Sequence, residues 1–190
     1  MKFDAIAPAA AILAWFLTAA VAAPAPTPAP VPVPAPATDP ALSPQANAAY
    51  LAANAKKPGV IVKADGLQIK IVQSGFGKRP AVTDTVEVYY TGALINGAVF
   101  DGTSPGLPAS FKVNEVIPGW TEALQLMREG DHWQLVIPSN LGYGARGAGK
   151  AIPPDQVLVF DMNLVSTTPA PRRGEPGYIP DPNDPEDKEK

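Results

Sequence analysis

The distribution of proline limits what this chain can fold into more than any other feature. Of its 24 prolines, 11 precede Val60 and six follow Thr168, which leaves seven for the stretch between. Proline donates no backbone N–H and pushes the residue before it toward extended geometry. A packed core therefore belongs between those two residues, in one domain of about 110 residues, a common size for a single core.

The formal net charge of −3 gives no electrostatic case for nucleic acid or for an anionic membrane surface, both of which favour a basic stripe. The chain has no cysteine and one histidine. That removes a thiol nucleophile, a disulfide framework, a thiolate metal site and a lipid-modified cysteine, and it argues against a zinc cage. His132, between Asp131 and Trp133 at the start of a strand and without a second imidazole, reads as a surface histidine rather than a metal ligand. No cofactor is expected.

At the N-terminus, Lys2 precedes an apolar run from Ala5 to Ala23 that ends in the small-residue pattern Ala20-Val21-Ala22. Residues 1–22 read as a secretory signal cleaved near Ala22 or, alternatively, as an uncleaved anchor, since the run approaches the ~20 residues that span a bilayer. Residues 23–45, with repeated Ala-Pro and Val-Pro pairs, read as a polyproline II spacer. Alanine-rich residues 46–58 suggest a short leader helix stopped by Pro58-Gly59. Residues 167–190 lack apolar periodicity and read as a disordered tail.

Between these arms, residues 59–166 show strand periodicity. Leu67, Ile69 and Ile71 alternate with polar partners, as do Val86, Val88 and Tyr90, and Asn96-Gly97 marks a tight hairpin before Val99-Phe100. His132 to Ile137 and Val157 to Val165 complete the strands. One internal helix is expected, with Trp120, Ala123, Leu124 and Met127 at helical spacing, introduced by Pro118 and closed by Gly130. The expected fold class is α+β, a twisted antiparallel sheet wrapped around one short helix.

Gly142-Tyr143-Gly144-Ala145-Arg146-Gly147 matches a dinucleotide fingerprint, but Ile152-Pro153-Pro154 follows where the phosphate-binding helix should begin, so we read a tight exposed loop instead. Aromatic residues gather near turns: Tyr90, Phe100, Phe111, Trp120, Tyr143 and Phe160. The words Tyr89-Tyr90-Thr91-Gly92, Phe100-Asp101, Val116-Ile117-Pro118-Gly119-Trp120-Thr121-Glu122-Ala123-Leu124, Tyr143-Gly144, Ile152-Pro153-Pro154 and Leu158-Val159-Phe160-Asp161 follow in one order. Their order and spacing resemble the FKBP-type peptidyl-prolyl cis-trans isomerases. The leader Ala53 to Val60 with Asp65-Gly66-Leu67-Gln68 resembles the exported bacterial branch that includes macrophage infectivity potentiator-like proteins, with the proline spacer in place of their long dimerisation arm.

The resemblance implies that Trp120 is the floor of a proline pocket walled by Tyr90, Phe100, Val116, Ile117 and Phe160. It also implies polar rim contacts from Asp101 and Tyr143, and an Ile117 N–H that holds a ligand carbonyl. Tyr90, Phe100, Asp101, Ile117, Trp120, Tyr143 and Phe160 would carry catalysis, with Val116, Phe111 and Ile152 binding substrate. Two departures stand out. The usual pocket aromatic falls on Ala109, with Phe111 two residues on and on the same face, and a loop position often held by histidine is Ala148. The implied partners are proline-containing unfolded or exported polypeptides and macrolide inhibitors, with no nucleic acid, and with the membrane only through an uncleaved N-terminal segment. The implied location is outside the cytoplasm, either periplasmic or anchored facing the periplasm. The competing reading is a polypeptide-binding chaperone module with little isomerase activity, which Ala109 keeps open.

Overall fold

β-Branched and aromatic residues alternating with polar ones form one seven-stranded antiparallel sheet in the computed structural model, which describes residues 39–171 together with 175 and 176. The signal or anchor segment, residues 23–38 of the spacer and most of the tail lie outside the described residues. The strands are β1 (Val60–Val62), β2 (Gln68–Gln73), β3 (Thr85–Leu94), β4 (Val99–Gly102), β5 (Ala109–Lys112), β6 (His132–Ile137) and β7 (Leu158–Thr168). Their spatial order is β1-β2-β6-β7-β3-β4, with β5 also pairing β3. The long β3 is therefore shared: Thr85 to Val88 face β5, while Thr91 to Ala93 face β4.

The inward face of this sheet wraps helix α2 (Pro118–Leu126). Proline at the first helical position suits a start whose N–H has no helical partner, and Trp120, Ala123 and Leu124 form the buried stripe. They pack against Val86, Val88, Leu135, Ile137, Leu158 and Met162, each large side chain contributing about 1.5–3 kcal/mol when fully buried. Gly119 makes the close approach to β6, because a Cβ there would lie 2.7 Å from Cγ2 of Ile137. The helix ends before the Met127 and Gly130 expected from spacing. Met127 is already extended (ψ 161°), and the Asp131 carboxylate accepts from the Arg128 N–H at 2.6 Å to turn the chain into β6.

Ordered elements lie within the stretch read as spacer and helix start. Pro40–Leu42 forms a 3-10 turn with Leu42 buried, and helix α1 runs Pro44–Asn54 with the Ser43 hydroxyl accepting from the Ala46 N–H at 3.2 Å. At the other end β7 continues to Thr168, past the expected start of the tail, because Thr167 and Thr168 pair with Val86 and Thr85.

α1 also explains why Gln68 breaks the alternation in β2. Leu67 and Ile69 are buried as expected, but Gln68 is only 5% exposed and Ile71 is 43% exposed. Gln68 lies under α1, where it accepts from Asn54 Nδ2 at 2.9 Å and donates to the Leu51 carbonyl at 3.0 Å. The fully buried residues of α1 are Asn47 and Asn54, with half-buried Tyr50 and Leu51 between them on the same face.

Candidate active site

A cavity of about 410 Å³ opens between α2 and the inward face of the sheet. β3 supplies Tyr90, β4 Phe100 and Asp101, β5 Phe111, and β7 Phe160. Glu115, Val116 and Ile117 come from the turn entering α2, Trp120 from its first turn and Tyr143 from the loop after β6.

The rings meet edge to face. Tyr90 and Phe160 stand 4.9 Å and 5.1 Å from Trp120 at 86° and 79°, Phe111 stands 5.6 Å from Trp120 at 89°, and Phe100 stands 5.6 Å from Phe160 at 88°. Such contacts between a ring edge and a π face add about 0.5–1.5 kcal/mol each beyond area burial, so the walls hold one another in place through shared ring contacts. Gly92 makes the packing feasible: a Cβ there would fall 2.7 Å from a Phe160 ring carbon and 2.8 Å from the Phe100 ring.

Polar groups are few and placed at the edge. The Tyr90 hydroxyl donates to Asp101 Oδ2 at 2.7 Å, and the other Asp101 oxygen accepts from the Gly102 N–H at 2.8 Å. Burial first, and then the Asp101 carboxylate, push the Tyr90 hydroxyl well above the ordinary tyrosine range, so it remains a neutral donor. Ile117 caps α2, its carbonyl accepting from the N–H groups of Trp120 and Thr121 at 2.9 Å and 3.1 Å. None of the hydrogen bonds among the described residues uses the Ile117 N–H.

Of the residues singled out from sequence, Tyr90, Phe100, Asp101, Phe111, Val116, Ile117, Trp120, Tyr143 and Phe160 all line this cavity. Ile152 does not. It forms an isolated bridge with Ala148, with bonds of 2.8 Å and 3.1 Å, and its side chain, 5% exposed, belongs to the core beneath the loop. Two residues escaped the sequence reading. Glu115 lines the cavity immediately before Val116 and pairs with Lys112 at 2.9 Å, and its only signal was adjacency to a recognised word. Gly92 was visible as a letter, but its reason, two rings pressed against its Cα, is a matter of three dimensions.

His132 has a partner. Its Nε2 lies 2.6 Å from Asp161 Oδ1, and Gln134 donates to Asp161 Oδ2 at 3.2 Å. Strand alternation puts Asp161 on the face of β7 opposite Phe160, so this cluster lies across the sheet from the cavity. The glycine-rich run holds a 3-10 turn, Gly144–Arg146, just after another at Ser139–Leu141, and no helix follows them among the described residues.

Comparison with known proteins matches residues 77–165 to the family described as FKBP-type peptidyl-prolyl cis-trans isomerase. The chain is 50% identical over 123 residues to the outer membrane protein MIP of Legionella longbeachae, covering 64% of this chain and 53% of that protein. It is 54% identical over 117 residues to the FKBP-type 22 kDa peptidyl-prolyl cis-trans isomerase of Escherichia coli, covering 61% and 57%. The chain thus spans little more than half the length of these relatives. Among solved structures, a peptidyl-prolyl cis-trans isomerase of Pseudomonas syringae superposes with a TM-score of 0.62 at 41% identity, covering 66% of this chain and 92% of the other. With a shared fold, a match over nearly the whole of that solved relative, and the aromatic cavity at its centre, the chain belongs to the FKBP-type peptidyl-prolyl cis-trans isomerase family.

Proposed function

We propose that this chain catalyses rotation about Xaa-Pro peptide bonds and so assists the folding of exported polypeptides. The carrying observation is the ring-walled cavity, with a neutral Tyr90 hydroxyl, the Asp101 carboxylate and an unused Ile117 N–H at its edge. Rotation breaks amide resonance, a barrier of ~18–20 kcal/mol, and requires neither a nucleophile nor a metal. The catalyst must bind the twisted amide better than either planar form. Apolar walls grip the pyrrolidine ring and exclude the water that solvates the planar carbonyl, while the Ile117 N–H holds a neighbouring carbonyl in place. An acceleration of about a million-fold asks for roughly 8 kcal/mol of differential stabilisation, a sum that shape, desolvation and one or two preorganised hydrogen bonds supply together.

Phe111 weighs against the binding-only alternative, because it supplies, edge-on to Trp120, the ring that Ala109 lacks. The same cavity is our candidate site for macrolide inhibitors. The catalytic unit in this reading is residues 59–166 with its leader helix, between arms that serve as spacer and tail.

Export rests on the apolar run at residues 5–23. Among the described residues no helix is long and apolar enough to cross a membrane. N-terminal sequencing of the exported protein separates cleavage near Ala22 from a retained anchor. The activity itself is tested by NMR exchange or protease-coupled assay on a panel of Xaa-Pro peptides: accelerated interconversion at catalytic protein concentration supports it, and rates equal to the uncatalysed blank would overturn it.

A further inference from the structure

The loop between β6 and β7 carries Tyr143 to the cavity rim, where it is 40% exposed. No hydrogen bond among the described residues uses the Tyr143 side chain, so its position depends on the loop backbone. That backbone closes on itself through Gly144, whose carbonyl accepts from the Asp155 N–H at 2.9 Å and from the Gly147 N–H at 3.3 Å. Asp155 has φ of 58° and is the one non-glycine described residue with positive φ. A conformation of that kind persists only when its surroundings enforce it.

The enforcing groups come from the leader. Gln156, next in the chain, is 5% exposed and donates to the Pro154 carbonyl at 2.9 Å and to the Leu42 carbonyl at 3.1 Å. Its Oε1 accepts from Asn47 Nδ2 at 3.1 Å, while Asn47 Oδ1 accepts from the Val157 N–H at 2.9 Å. Asn47 therefore grips two consecutive residues, one by its side chain and one by its backbone. It is itself buried, and its amide is tied back to the Leu42 and Ser43 carbonyls. The two Nδ2 hydrogens are shared among three acceptors and Oδ1 holds the Val157 N–H, so removing this buried amide strips partners from both the leader and the loop.

We propose that Asn47 is a positioning residue for the cavity: through Gln156 and Val157 it fixes the end of the loop that, by the Asp155–Gly144 bond, sets Tyr143 at the rim. The leader helix is then part of the active-site architecture, although it lies against the opposite side of the sheet from α2. This rests on the isomerase reading for its kinetic consequence and on geometry alone for its structural one.

The test uses the full chain with Asn47→Ala, Tyr143→Ala, the double variant, and Asn54→Ala as a control on the same helix, since Asn54 bonds Gln68 rather than the loop. Asn47→Ala should lower kcat/KM on an Xaa-Pro peptide about fivefold in the wild-type background but less than about twofold once Tyr143 is alanine, the non-additivity expected of residues acting through one another. Hydrogen exchange at the Asp155 amide should speed up by about tenfold or more while β3 amides keep their protection. Asn54→Ala should leave both readings within about twofold of wild type. If Asn47→Ala does not fold, Asn47→Ser, which keeps a small acceptor, is measured the same way. Equal losses in both Tyr143 backgrounds, or Asp155 exchange unchanged in the folded variant, would overturn the proposal. A wild-type protein without isomerase activity would instead count against the proposed function, and the exchange measurement would still decide the role of Asn47.

Discussion

The Tyr90 hydroxyl donates to Asp101 at 2.7 Å, so the carboxylate at the cavity edge orients a phenol instead of standing free as an acid. Burial and the carboxylate both raise the Tyr90 ionisation. A raised tyrosine loses its proton only above the ordinary tyrosine range near pH 10, so the phenol keeps its proton, and stays a donor to the Asp101 carboxylate, from neutral pH up to strong alkali. We expect kcat/KM to vary little between about pH 6 and 9, and Asp101→Ala to lower it about three- to tenfold without changing that profile. A pH series on both proteins checks this, and a bell-shaped wild-type curve would contradict it.

Gly92 sets the spacing of the walls. Gly92→Ala should drive the Phe100 and Phe160 rings from their edge-to-face contact, lower kcat/KM about tenfold or more, and cost about 1–3 kcal/mol of stability, as overpacking does. Denaturant unfolding and peptide kinetics on the same preparation give the two numbers.

The leader belongs to the folded unit. A fragment of residues 39–171 should unfold cooperatively with the stability of the full chain. One beginning at Ala46 loses buried Leu42 and the Ser43 cap and should be about 2–4 kcal/mol less stable, the sum of a buried leucine and an N-cap. Equal midpoints in urea for the two fragments would show that the segment 39–45 is ornamental.

Much of this was legible in the sequence, because period-two alternation and helical spacing report burial directly. β3, whose residues alternate along its whole length, was readable for that reason, and so was α2. In β2, Gln68 departs from the expected alternation because a helix covers one outer patch of the sheet, and a polar residue gives no sign that another polar residue buries it; Ile71 is exposed where the pairing with β6 shifts register. The nine cavity residues were found because each sits in a recognisable local word. Ile152 also sits in such a word, but its bridge to Ala148 turns it into the core. Gly92 and Asn47 work through atoms distant in sequence, which periodicity does not register.

The aromatic-enclosure account meets its most direct test in a comparison of Phe100→Ala with His132→Ala, both assayed for Xaa-Pro isomerisation beside an unfolding curve. Phe100 walls the cavity, whereas His132 is paired to Asp161 on the far face of β7. Enclosure predicts that Phe100→Ala, while folded, loses at least about tenfold in kcat/KM and that His132→Ala stays within about twofold of wild type. Turnover abolished in a folded His132→Ala protein, with Phe100→Ala unaffected, would contradict the account.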